Sequence, residues 1–103
     1  MYTEFNLAEI NAVVLELLKE RMNRFGFDHA EVHEGSDHAG TPALFIDAFY
    51  RLSTEPVDSY QVYRVQTDLR DELIHRGEGR FPYVRHHFDE KQQVAKWKPI
   101  KQK

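Results

Sequence analysis

Six histidines stand in a chain of 103 residues that contains no cysteine. Imidazole nitrogen ligates zinc, copper or nickel, and carboxylates complete such sets. His29, His33, Asp37, His38 and His87 are therefore candidate ligands for zinc or another divalent transition metal. Their spacing closes no motif: there is no His-Glu-x-x-His and no compact finger spacing. His29 and His33 would share one face of a strand at about 13 Å, too far apart for one ion. His86 and His87 are adjacent, so on a strand they point to opposite faces and at most one joins a given site. The plain alternative is a scatter of surface and half-buried histidines, which near neutral pH would make a partner contact pH-sensitive.

Asp47 is the other residue with chemical potential. It falls between Phe45 and Phe49 in a strongly apolar run, where an unpaired carboxylate would be costly. Arg85 or a histidine on a neighbouring strand would supply the partner. A cross-strand ion pair explains Asp47 more economically than a catalytic acid, because a catalytic reading needs a cleft and a second group that the sequence does not specify. No nucleophile–base pair stands out, and lack of cysteine excludes disulfides, thiolate metal sites and thiol nucleophiles. Gly77-Glu78-Gly79-Arg80 lacks both the Lys-Ser/Thr pair of a phosphate loop and the Gly-x-x-Gly clamp of KH domains, so it reads as a helix end. The expectation is a non-catalytic protein without a cofactor, with metal binding as the alternative.

The string Gly35-Ser36-Asp37-His38-Ala39-Gly40 resembles the Gly-Ser-Asp-His-Ala-Gly opening of type B ribose-5-phosphate isomerases, where it opens a helix in a Rossmann-like sheet. Here Thr41-Pro42 and an aromatic, β-branched run follow, which predicts a strand, and the cysteine that family commonly uses for proton transfer is absent. Two glycines, a proline and small polar residues make the segment a hairpin loop, with Asp37 bonding nearby backbone amides.

The elements that must position these residues have clear signals. Asn6 and Glu9 form a capping box, with Phe5 and Ile10 as a hydrophobic staple. Ile10, Val13, Val14, Leu17, Leu18 and Met22 then follow at helical spacing, and Gly26 ends the segment. Phe27 to Glu34 predicts a first strand with Ala30 and Val32 inward and His29, Glu31 and His33 outward. Ala43 to Leu52 predicts a second, with Leu44, Ile46, Ala48, Tyr50 and Leu52 on one face and Phe45, Asp47 and Phe49 on the other. Asp58 caps a second helix, with Gln61 in the capping-box position and Val57 and Val62 as its staple; its stripe is Val62, Val65, Leu69 and Leu73. Tyr83 to Phe88 predicts a third strand with Tyr83, Arg85 and His87 on one face and Val84, His86 and Phe88 on the other.

The order is α-β-β-α-β, an α+β two-layer sandwich in which two helices cover one face of a three-stranded sheet. Residues 1–90 form a single domain and 91–103 a polar, loosely held tail. A strand–helix–strand crossover makes the third strand parallel to the second, and it is placed beside the first. The uncovered face would carry Phe45, Asp47, Phe49, Tyr83 and Arg85 as an interaction surface, which argues for a homo-oligomer or another protein partner. Net charge is −3, so nucleic acid is a weaker expectation; Arg76, Arg80 and Arg85 interleave with Phe81 and Tyr83, but Asp71, Glu72 and Glu78 dilute them. The start of the chain lacks the basic and apolar regions of a secretory signal, and no apolar run approaches the about 20 residues of a membrane span. Those features predict a cytoplasmic, bacterial-type subunit with no membrane association.

Overall fold

A computed structural model of the chain describes residues 6–95. Helix α1 spans Leu7–Met22, strands β1 and β2 span Phe27–Ser36 and Pro42–Tyr50, helix α2 spans Ser59–His75, and strand β4 spans Phe81–His87. Two short strands, β3 at Val57–Asp58 and β5 at Val94–Ala95, complete the order. The architecture is the small α+β sandwich expected, with both helices packed on the three-stranded sheet.

Local chemistry sets each helix end. Asn6 accepts from the Glu9 amide at 2.8 Å while Glu9 accepts from the Asn6 amide at 3.2 Å, a reciprocal cap at the start of α1. Its staple partner Phe5 lies outside the described residues. Asp58 caps α2 through the Tyr60 amide at 2.9 Å. The far end of α2 closes as a Schellman motif: Glu78 N–H donates to Leu73 O and Gly77 N–H to Ile74 O, with Gly77 at φ 97°.

The core lies between the helices and one face of the sheet. Ile10, Val14, Leu18 and Met22 from α1 and Val65, Leu69 and Leu73 from α2 are buried against Leu44, Ile46, Ala48 and Tyr50. Each such aliphatic side chain contributes roughly 1.5–3 kcal/mol by leaving water. Arg21 and Asp68 form an ion pair between the two helices, and Arg64 approaches the same carboxylate at 3.5 Å.

The strand order is β1-β2-β4, with β1 antiparallel and β4 parallel to β2. The last strand thus lies beside the second strand, not beside the first as expected. Strand β2 has apolar residues on both faces and takes the centre of the sheet, with a strand on each side. The outer side of β1 is flanked by α1, with a groove there lined by Leu7, Asn11, Ala30 and Val32.

Two irregularities aim the strands. Gly26 has φ 91°, and a side chain there would meet Arg51 O at 2.2 Å; the Arg51 amide donates to Gly26 O at 2.7 Å. Only glycine permits this close start to the hairpin. The register then shifts between Phe27 and His29, leaving Asp28 as a bulge. Without it Phe27 and His29 would share a face. With it, Phe27 enters the core and edges onto Tyr50, while His29 turns to the opposite side.

Beyond β4 the chain returns to the loop after β2. Val57 N–H donates to Gln93 O, β5 pairs in parallel with β3, and the Gln92 side chain bonds Ser53 N and Glu55 O. Residues after Ala95 lie outside the described residues. No helix among the described residues is long and apolar enough to cross a membrane.

Candidate functional site

The face of the sheet away from the helices is an ordered grid. Strand pairing places His29, Phe49 and His87 in one row, Glu31, Asp47 and Arg85 in the next, and His33, Phe45 and Tyr83 in the third. Each row draws one residue from β1, one from β2 and one from β4. Aromatic groups therefore flank a charged middle row on both sides.

The rings are packed face to face. His29 lies 4.6 Å from Phe49 at an interplanar angle of 14°, and His87 lies 4.8 Å from its other side at 15°. Coplanar rings cannot approach so closely, so the three stand upright as a stack across the strands. Phe45 and Tyr83 stack at 5.5 Å and 17°, and Phe81 tilts onto Tyr83 at 4.7 Å. Phe45 also leans over Gly35, where any side chain would meet its ring at 2.9 Å. The consequence is a rigid ridged surface that offers ring edges outward while much of the ring faces is occupied within the protein.

Asp47 anchors the middle row and is only 8% exposed although no element among the described residues covers this face. Its Oδ1 lies 2.8 Å from His87 Nε2 and 3.1 Å from Arg85 Nε, and its Oδ2 lies 3.7 Å from His33 Nε2. The His87 hydrogen bond, then the charge of Arg85, hold the Asp47 carboxyl below the usual carboxylate range against the opposing effect of burial. Asp47 is therefore the negative hub of a cross-strand network. Glu31 stands outside it, 3.5 Å from His33 and open to solvent, and Arg85 keeps most of its surface exposed.

The two sides of β4 differ in the same way. His86 points toward the helix layer, where its Nδ1 lies 2.7 Å from the Tyr50 hydroxyl. Burial, with a smaller effect from His87, lowers its pKa to about 4, so it is neutral at physiological pH. With the imidazole neutral, Tyr50 O–H donates to Nδ1, and burial raises the tyrosine pKa above its ordinary value.

The outer edge of β4 is also managed. Gln66 of α2 donates to Pro82 O and accepts from the Val84 amide at 3.2 Å, while Pro82 has no N–H to offer. This part of the edge is closed to strand addition. At the hairpin end of the face, an open cavity of about 580 Å³ lies among Asp37, His38, Phe45, Tyr83 and Arg85.

The residues named from sequence separate into two sets. Phe45, Asp47, Phe49, Tyr83 and Arg85 lie together on the uncovered face, and of the five candidate metal ligands His33 and His87 converge on Asp47. His29 instead bonds Asp28 at 2.7 Å and stacks on Phe49. Asp37 is spent on the loop, accepting from the Ala39 and Thr41 amides at 2.9 Å, with exposed His38 beside it. Among the described residues no three His, Asp or Glu side chains are arranged to hold a metal ion.

Sequence reasoning missed three features: the His86–Tyr50 pair, the Gln66 grip on β4, and buried Glu78, which Arg80 ties to Glu34 across the sheet end. The alternation of Val84, His86 and Phe88 was the available signal for the first; the partners of Gln66 are distant in sequence, and Arg80, although two residues from Glu78, lies in a segment that read only as a helix end. Comparison with models of protein families, with curated proteins and with solved structures finds no match to this chain.

Proposed function

We propose that this chain is a small, non-catalytic cytoplasmic interaction module that binds a protein partner through the uncovered face of its sheet. The observation that carries the reading is the pre-organised grid of upright rings around the Asp47 network. Rings locked in place lose little conformational freedom on binding, which favours aromatic contact surfaces. The charges in the middle row would fix the partner's orientation. The Gln66 grip on the β4 edge favours the face over strand addition as the route of contact.

Specific features favour protein over RNA. Single-stranded nucleic acid stacks its bases on exposed ring faces, whereas the faces of Phe49 here are covered by two imidazoles. The three arginines that interleave with these aromatic residues are also paired, Arg76 with Glu72, Arg80 with Glu78 and Glu34, and Arg85 with Asp47. The exposed carboxylate of Glu31 in the middle row would further repel phosphate.

Site-specific photocrosslinking in cells tests the reading without presuming the partner. A photoreactive residue at Tyr83 should give discrete protein adducts, and one at exposed Tyr63 on the outer side of α2 should not. Adducts from Tyr63 alone, or none from either position, would remove the proposal.

A further inference from the structure

We infer that the partner of the uncovered face is a second copy of this chain, docked about a two-fold axis running along β2. This rests on the reading above that the face is a protein contact. The charges of the middle row distinguish one arrangement from others. Glu31 stands on the β1 side, Arg85 on the β4 side, and Asp47 lies between them already paired with Arg85 and His87.

Two copies facing each other can be related by an axis along the strands or by one across them. An axis across the strands sets Glu31 against Glu31 and Arg85 against Arg85. An axis along β2 exchanges the outer strands, so each Glu31 meets the other copy's Arg85, and both contacts are attractive. The same operation brings His29 opposite His87, His33 opposite Tyr83, and each β2 residue of the face, Asp47 included, opposite itself. The arrangement is self-complementary, as an isologous interface requires, and it keeps the strands of the two sheets nearly aligned, the common mode of sheet-on-sheet packing.

The face also sets the strength. A stable interface covers about 800 Å² per partner, roughly a tenth of a small protein's surface, and the described surface totals 7341 Å². Three strands about 4.8 Å apart and three rows about 6.8 Å apart span roughly 300 Å² of sheet, well below that figure. The dimer is therefore weak and reversible.

Sedimentation equilibrium of the full chain from low micromolar to several hundred micromolar, with folding checked by circular dichroism, tests the register. Wild type should pass from monomer to dimer across the range. Glu31→Gln should weaken association several-fold, and Glu31→Arg, which sets arginine against Arg85, by about tenfold or more. Arg85→Glu alone should weaken it likewise, but an equimolar mixture of Glu31→Arg and Arg85→Glu chains restores opposite charges at both contacts and should form heterodimers. Should Arg85→Glu fail to fold beside Asp47, the graded Glu31 series still decides. A Glu31→Arg chain that dimerises like wild type overturns the register. A wild-type chain that stays monomeric at several hundred micromolar overturns the second copy as partner; Tyr83 adducts of a different mass would then leave the protein-contact reading standing.

Discussion

His86 and His87 are neighbours in sequence, yet they live in different solvents. His86 points into the layer beneath the helices, neutral and bonded to Tyr50; His87 points away from it and completes a charged network on Asp47. The same division runs along β2, where Leu44, Ile46 and Ala48 are fully buried while Phe45 and Phe49 retain partial exposure on the other side. One face spends its side chains on holding the monomer together. The other spends ring stacking and ion pairs on holding its own shape. The difference teaches that the uncovered face is organised without being consumed by folding, which is what a contact surface requires.

Truncation on the two faces should sharpen that contrast most. Ile46→Ala opens a cavity beneath the helices and should cost roughly 2–5 kcal/mol in denaturant unfolding. Phe49→Ala on the other side should cost the dilute monomer only about 1 kcal/mol, mostly lost ring stacking. Equal losses would erase the distinction between the faces.

The next largest effect is acid sensitivity. The folded pKa of His86 is lowered to about 4 from an ordinary 6.5. Below pH 6.5 the unfolded chain gains a proton that the folded chain refuses. Stability from this group is therefore full above pH 6.5 and declines as pH falls toward 4, by at most about 3 kcal/mol, less the part screened by residual solvent contact. His86→Gln keeps an acceptor for Tyr50 and cannot titrate, so its unfolding free energy between pH 6.5 and 4.5 should be flatter than that of wild type. An unchanged slope would assign the acid sensitivity elsewhere.

How much of this could be seen in the sequence depends on the range of the interaction. The capping box at Asn6 and Glu9, the helical stripes and the alternation of β2 are local, so the elements and the two sheet faces were legible. Asp47 announced its need for a partner because a carboxylate between two phenylalanines has few alternatives. Placement of β4 beside β1 failed because either neighbour satisfies the crossover rule; the apolar character of both β2 faces was the better guide. The weak alternation of β1 came from the Asp28 bulge, which inverts the pattern after Phe27 and has no sequence marker of its own. Spacing alone could not say which histidines meet, since His33 and His87 reach Asp47 from opposite strands.

Smaller tests follow on the uncovered face. Asp47→Asn should cost the monomer about 1 kcal/mol, because the network is partly solvated. The wild-type carboxyl has a lowered folded pKa, so its contribution is present above the ordinary carboxylate range and is lost as pH falls through the lowered value. The variant should lack that final loss of stability in acid unfolding curves. Smallest of all, Glu72→Gln breaks an exposed i,i+4 pair with Arg76 on α2 and should change stability by about 0.3–0.5 kcal/mol, without altering association. A larger shift in dimerisation would point to the helix side instead.

The most direct measurement follows the histidine ring resonances by NMR as the full chain is diluted from several hundred micromolar to low micromolar. His29, His33 and His87 should move with concentration along a single binding curve, while His75 on α2 and His86 beneath the helices stay fixed. Fixed resonances for the first three, or movement confined to His75, would contradict the claim that the chain meets its partner through the uncovered face.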